Sequence, residues 1–371
     1  MKIKKIFTFV IVLCVSVVSL AAWSSKPADA AAANSDEKTE VYILIKNRGD
    51  LSYWDSMAGG GDRAAQDFAD KANIHVIETT ADVTANLDAM YEAADNGANL
   101  IITASDYKDN LVKISNEYPE ISCAIVGEDL RSRSDKIYGI NFKTSDASFL
   151  AGIVAADVAS SNLEGASGNK TVGFIGGMDE TLVIQEYFMG YIQGAKFYDP
   201  SIKIVSNYVG AWNDPDTAKT QALTQYNDAK ADIIFAAAGG SGNGVHTAAA
   251  EAGKYVIGVD SNQALMYAND PDIQKRFVTS VIKEIGNAVY RTIDSYLADG
   301  TFPYGEYQIL GMKDDTVSIV EDETLDTFLS EKGKEKLEEA KDKITSGEII
   351  VESALDKDQD TIKKFIEENT K

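Results

Sequence analysis

From Glu40 onward, short runs of β-branched and aliphatic residues alternate with amphipathic stretches about ten residues long, the pattern of parallel strands joined by helices. The first series reads as strands at 41–45, 74–78, 100–103, 122–126 and 136–142, with helices at 64–72, 83–96 and 110–118. Gly97 and Pro119 stop the last two of these helices. A second series follows, with strands at 171–175, 203–209, 232–237 and 255–259 and helices at 149–160, 183–197, 216–229 and 244–252. Two doubly wound α/β lobes therefore precede residue 261, consistent with a 371-residue chain too long for one core.

The remaining strands, at 278–282, 307–310 and 317–320, are too few for a third sheet. The expectation is a hinge of crossing segments, near 142–148, 278–283 and 300–306. Residues 40–145 with 279–303 would form the first lobe, and 146–278 with 304–345 the second. A tail, 346–371, would carry an edge strand at 348–351 and a last helix at 361–369, after a charged helix at 328–343.

The N-terminus sets the compartment. Lys2, Lys4 and Lys5 precede an apolar run over 6–22, and Ala28-Asp29-Ala30 has the form of a cleavage site, so 1–30 reads as a signal peptide and 31–39 as a linker. A membrane anchor is the competing reading, since about 20 apolar residues span a bilayer. Leu20-Ala21-Ala22-Trp23-Ser24-Ser25 has the shape of a lipoprotein signal with Trp23 where the modified Cys belongs. An exported chain at the outer face of the cell membrane or in the periplasm, without a lipid, is expected.

Composition excludes several partners. Against 35 Lys and Arg stand 58 Asp and Glu, a formal charge of −23, which repels phosphate backbones and anionic headgroups. Cys14 leaves with the signal peptide and Cys123 has no partner for a disulfide. With His75 and His246 as the only histidines and no ligand-spaced pair, no metal and no cofactor is expected.

Ligands of doubly wound sheets lie outside the carboxyl ends of the strands. Here those ends carry Asn47 and Asp50, Gly176-Gly177, the run 239–244 with Gly240 and Gly242, and Asp260. Trp54 with Asp55, Trp212 and Phe235 are the aromatic candidates for a flat polar ligand, and Asp129 is a further strand-end acid. The glycine run resembles a dinucleotide fingerprint, but Val245 stands at the third glycine. Ser241 fails the esterase elbow because Asn243 replaces its second glycine. Adjacent Glu128 and Asp129 do not suit a glycosidase pair. No enzyme site emerges.

Val172 to Asp179, Asn207-Tyr208-Val209-Gly210 through Asn213-Asp214-Pro215, Phe235 to Gly244, Gly253 to Asp260 and Thr279 to Lys283 together resemble the basic membrane protein (BMP) family of substrate-binding lipoproteins. The resemblance implies a type I periplasmic-binding-protein fold that captures a nucleoside, purine nucleoside capture being the family's best-known function, and hands it to the permease of an ABC importer. It makes Trp54 the first stacking aromatic and Phe235 a candidate for the second, and sets Asp260, Gly242 and Lys283 around a ribose. The chain departs from the family in its first loop, which reads Lys46-Asn47-Arg48-Gly49 and Tyr53-Trp54-Asp55-Ser56. A monomeric nucleoside receptor is the expectation, with a sugar or polyol receptor, or an exported hydrolase of nucleosides or esters, as the alternatives.

Overall fold

A computed structural model of the protein describes residues 38–49, 52–80, 82–298 and 302–370. The expected signal peptide over 1–30, with Cys14 and Trp23, and Asp50 lie outside the described residues. The first series comprises β1 (Thr39–Ile45), α1 (Tyr53–Asp67), β2 (Ala72–Glu78), α2 (Val83–Asp95), β3 (Leu100–Ala104), α3 (Lys108–Glu117), β4 (Ser122–Val126) and β5 (Ile137–Phe142). The second comprises α4 (Thr144–Ala159), β6 (Thr171–Gly176), α5 (Leu182–Tyr198), β7 (Lys203–Tyr208), α6 (Pro215–Asn227), β8 (Ile233–Ala237), α7 (Gly242–Ala252), β9 (Tyr255–Asp260), α8 (Pro271–Gln274) and β10 (Phe277–Lys283). There follow α9 (Ile285–Leu297), β11 (Tyr307–Leu310), β12 (Val317–Ile319), α10 (Glu323–Phe328), α11 (Glu331–Thr345) and α12 (Gln359–Asn369).

Two six-stranded sheets result, in the orders β2-β1-β3-β4-β5-β11 and β7-β6-β8-β9-β10-β12. The two orders are the same doubly wound path traced twice. Every pairing is parallel except β10 with β12. Strands covered on both faces read as continuous apolar runs, and β3, β4 and β8 are buried along their whole length. In each sheet the strand order reverses once, between β1 and β3 and between β6 and β8. At such a point two neighbouring loops diverge and open a crevice.

The crossings fall at Lys143, at Glu284 and between Leu310 and Val317. Residues 279–283, assigned from the sequence to the first lobe, belong instead to β10, which pairs with β9 of the second sheet. Residues 307–310, assigned to the second lobe, form β11, the edge of the first sheet beside β5. The apolar pattern identified both strands but could not say which sheet each joins, because that depends on long-range pairing.

Two further expectations change. Helix α1 starts at Tyr53 rather than near residue 64. Three consecutive glycines, 59–61, argue against a helix on propensity, yet Gly60 lets the backbone of α9 at Gly286 approach so closely that a Cβ there would overlap the Gly286 carbonyl. Residues 348–351 form no strand. Side chains of α5 hold this stretch instead: Gln193 accepts from Glu352 N (2.8 Å) and donates to its carbonyl (2.9 Å), while Ser353 Oγ donates to the buried Glu186 (2.8 Å).

Candidate functional site

The strand β9 ends at Asp260, which adopts a left-handed backbone with φ of 65°. Few non-glycine residues do this, Asp and Asn most readily. In the register Ile282 lies beside Asp260, so Lys283 is the next residue along the neighbouring strand. Its Nζ reaches Asp260 Oδ1 at 3.0 Å, and the two side chains are only 5% and 11% exposed. The buried Tyr187 hydroxyl on α5 donates to the same oxygen at 2.8 Å. Burial opposes ionisation of Asp260, but the Lys283 charge and the hydrogen bonds from Ser52, Lys283 and Tyr187 outweigh it and hold the carboxyl below its ordinary range.

The first lobe meets this cluster at the N-terminus of α1. Ser52 Oγ donates to Asp260 Oδ2 at 2.7 Å, a bond between residues from opposite lobes. Tyr53 presents its ring to Lys283, whose Nζ is 5.0 Å from the centroid, and its hydroxyl lies 3.4 Å from the Val126 carbonyl. Both residues follow β1 at the reversal point of the first sheet, and Tyr107 follows β3 on its other side.

Trp212 occupies the corresponding place on the second lobe. Its ring lies over Gly177, after β6, and approaches Gly239, after β8. A Cβ on Gly177 would sit 2.6 Å from the ring, so the small residue is what admits the indole. Ser241, fully buried, anchors the loop by donating to the Ala211 carbonyl (2.9 Å), accepting from Asp214 N (2.8 Å) and giving its backbone N–H to Trp212 O (3.0 Å). Even so, Trp212 stays 45% exposed, a large aromatic surface at the ligand end of the sheet.

The other sequence candidates are dispersed. Phe235 is fully buried, with Phe174, Tyr187 and Tyr191 rings at 5.5, 5.7 and 5.6 Å, so it belongs to the core and is corrected as a stacking wall. Trp54 is 9% exposed and turned into the first lobe toward Tyr107, so its neighbour Tyr53 is the aromatic that meets the second lobe. Asp55 accepts from Gly49 N at 2.8 Å and orders the first loop. Asn47 is exposed and bonds the Arg48 carbonyl, while Arg48 forks onto Asp62 at 2.8 and 2.9 Å. Asp129 pairs with Arg131 at 2.7 Å, and that bond keeps its pKa low. Gly240 lies against Asn213 beneath the Trp212 loop, and Gly242 is buried close to Ala236 and His246. Sequence reasoning missed Ser52, Tyr53 and Tyr187. A tyrosine inside the helix 183–197 was the available signal, since buried phenols find partners.

His246 lies outside this cluster, fully buried, with Nδ1 3.0 Å from Tyr267 Oη. Burial pushes its pKa down from 6.5 to about 3. A depressed folded pKa contributes stability that is whole above the unfolded value and lost as pH falls toward the folded one. Between pH 7 and pH 5 His246 should therefore cost the protein about 2 kcal/mol of stability. Urea titrations at both pH values should show His246→Phe losing less over this interval than the parent, and equal losses would refute the assignment.

Two doubly wound lobes in one path, linked by three crossings and meeting at their strand ends, define a solute-binding protein of type I periplasmic-binding architecture. The family described as ABC transporter substrate-binding protein PnrA-like matches residues 41–354, and the chain belongs to it. Basic membrane protein D of Borreliella burgdorferi (strain JD1) is 32% identical over 264 residues, 70% of this chain and 73% of that protein. A crystal structure of an ABC transporter solute-binding protein from Aeropyrum pernix K1 superposes with a TM-score of 0.73 at 26% identity, covering 89% of this chain and 97% of that one. A solute-binding protein from Conexibacter woesei DSM 14684 shares the fold, with a TM-score of 0.68 at 18% identity over 86% and 99% of the two chains. The protein is thus an ABC transporter substrate-binding protein, of a family that is extracytoplasmic and takes a small-molecule ligand to a membrane permease. Family and fold are those of binding proteins rather than enzymes. Among the described residues no helix is long and apolar enough to cross a membrane.

Proposed function

We propose that this receptor binds a nucleoside between its lobes, with the base against Tyr53 and Trp212 and the sugar at Asp260 and Lys283. The observation that carries the reading is the desolvated Asp260–Lys283 pair set at the strand ends of one lobe and touched by Ser52 of the other. A charge-assisted acceptor in that position suits sugar hydroxyls, and exposed aromatic faces suit a base whatever its ring substituents. The sugar or polyol alternative shares the hydroxyl-reading half of this site and could pack a C–H face on one ring, whereas a planar base can use both rings over its whole face.

Calorimetric titration with adenosine, inosine, guanosine and a hexose tests the reading. Trp212→Ala should weaken every nucleoside by roughly 1–3 kcal/mol, because a stacking face does not read hydroxyls. As the ring is half exposed, thermal stability should change little. Hexose binding without nucleoside binding would overturn the ligand class and leave the receptor standing.

A further inference from the structure

We propose that Tyr187 is a specificity-determining residue that restricts Asp260 to a single ligand hydroxyl, so that the receptor accepts ribonucleosides and deoxyribonucleosides nearly alike. The inference rests on the nucleoside reading above and concerns the sugar rather than the base. A carboxylate with both oxygens free would take two vicinal hydroxyls.

An ionised carboxylate has about four acceptor positions, two on each oxygen. Two are filled on Oδ1, by the Tyr187 hydroxyl at 2.8 Å and Lys283 Nζ at 3.0 Å. Ser52 Oγ fills one on Oδ2 at 2.7 Å. One acceptor position remains, on Oδ2. A carboxylate grips a vicinal diol by taking one hydroxyl on each oxygen, and here Oδ1 has no capacity left. Moving Ser52 away with its lobe would free a second place on Oδ2 only, where two adjacent hydroxyls would crowd one atom.

Tyr187 cannot easily withdraw. It is 2% exposed, its ring lies edge-on to Phe235 at 5.7 Å, and Lys283 Nζ is 5.6 Å from its centroid. Its neighbours on α5 are tied down as well, Gln185 by exchanged amide bonds with Gln359 at 2.7 and 3.0 Å and Glu186 by Ser353 Oγ at 2.8 Å. Burial and the adjacent Asp260 charge raise the Tyr187 pKa well above its ordinary value, so the hydroxyl keeps its proton and remains a donor. Tyr187 therefore holds its acceptor position permanently, whereas Ser52 holds one only while the lobes are together.

Tyr187→Phe keeps the ring and releases one place on Oδ1. Titration of parent and variant with guanosine, 2'-deoxyguanosine and 3'-deoxyguanosine reads the effect as a ratio of affinities. The parent should bind the three within about threefold, and the variant should favour guanosine over both deoxy forms by about tenfold, the worth of a hydrogen bond to a charged group. A parent that already prefers guanosine by tenfold or more, or a variant with an unchanged ratio, would overturn the proposal. If the parent binds a hexose and no nucleoside, the ligand reading fails by itself, and the same ratio taken with the hexose and its monodeoxy analogues decides the role of Tyr187. Carbon-13 titration of the Asp260 carboxyl without ligand adds a readout independent of both: Tyr187→Phe should raise its midpoint, and an unmoved midpoint would remove Tyr187 from the carboxylate.

Discussion

Lys283→Met is expected to cost about 3–5 kcal/mol of folding stability, because it strands the Asp260 carboxylate in a site that water hardly reaches. Most of that cost is the penalty of an uncompensated buried charge, not the worth of the pair. The double variant Lys283→Met with Asp260→Asn should therefore recover part of the loss, giving a coupling of about 1–3 kcal/mol in a double-mutant cycle by urea denaturation. Asparagine is the right partner because it tolerates the left-handed backbone at position 260 as aspartate does. The folded carboxyl titrates below its unfolded value, so the contribution of the pair is whole above about pH 4 and is lost as the pH falls further. A single Lys283→Met that costs under about 1 kcal/mol would mean that the pair is solvated and that Asp260 is no privileged acceptor. Ligand affinity should fall in both single variants, since each alters the charge that reads hydroxyls.

The sequence carried the architecture because its signals are local. Short, mostly apolar, β-branched runs such as 100–104 and 122–126, bounded by turn residues, suit strands covered on both faces, and helices between them favour parallel connections. Asp260 was legible for the same reason, closing a recognisable strand, whereas Lys283 was singled out only by the family resemblance. What was not legible depends on which way a side chain turns. Trp54 and Tyr53 are adjacent and equally aromatic in the sequence, yet the start of α1 sends one ring into the first lobe and the other toward Lys283. Phe235 looked like a strand-end aromatic, but its side of β8 faces α5 rather than the cleft end. Trp212 gained its position through Gly177, about 35 residues earlier, a contact that no window of sequence contains.

Gly60→Ala should be the most damaging small substitution in the first lobe. The Cβ would overlap the Gly286 carbonyl, and the obstacle is helix backbone, which cannot turn aside as a side chain can. Forcing α1 and α9 apart should destabilise the protein by about 3 kcal/mol, the upper part of the usual overpacking range. The consequence for function follows from what the two helices carry. Ser52 and Tyr53 stand at the start of α1, while α9 begins two residues after Lys283 and gives the Gly286 N–H to Ser56 Oγ at 3.2 Å. The contact thus fixes the first lobe's half of the site against the segment that leaves the second lobe's half. Gly60→Ala should weaken ligand binding although residue 60 lies about two helical turns beyond Tyr53, the nearest proposed contact on α1, whereas Ser56→Ala, which removes one bond and adds no bulk, should cost about 1 kcal/mol of stability and less affinity. Urea denaturation and calorimetric titration of the two variants separate these effects. A Gly60→Ala protein with parental stability would show that α1 and α9 do not approach as closely as the glycine pair requires, and one with reduced stability but parental affinity would show that the helix pair supports the fold without positioning the site.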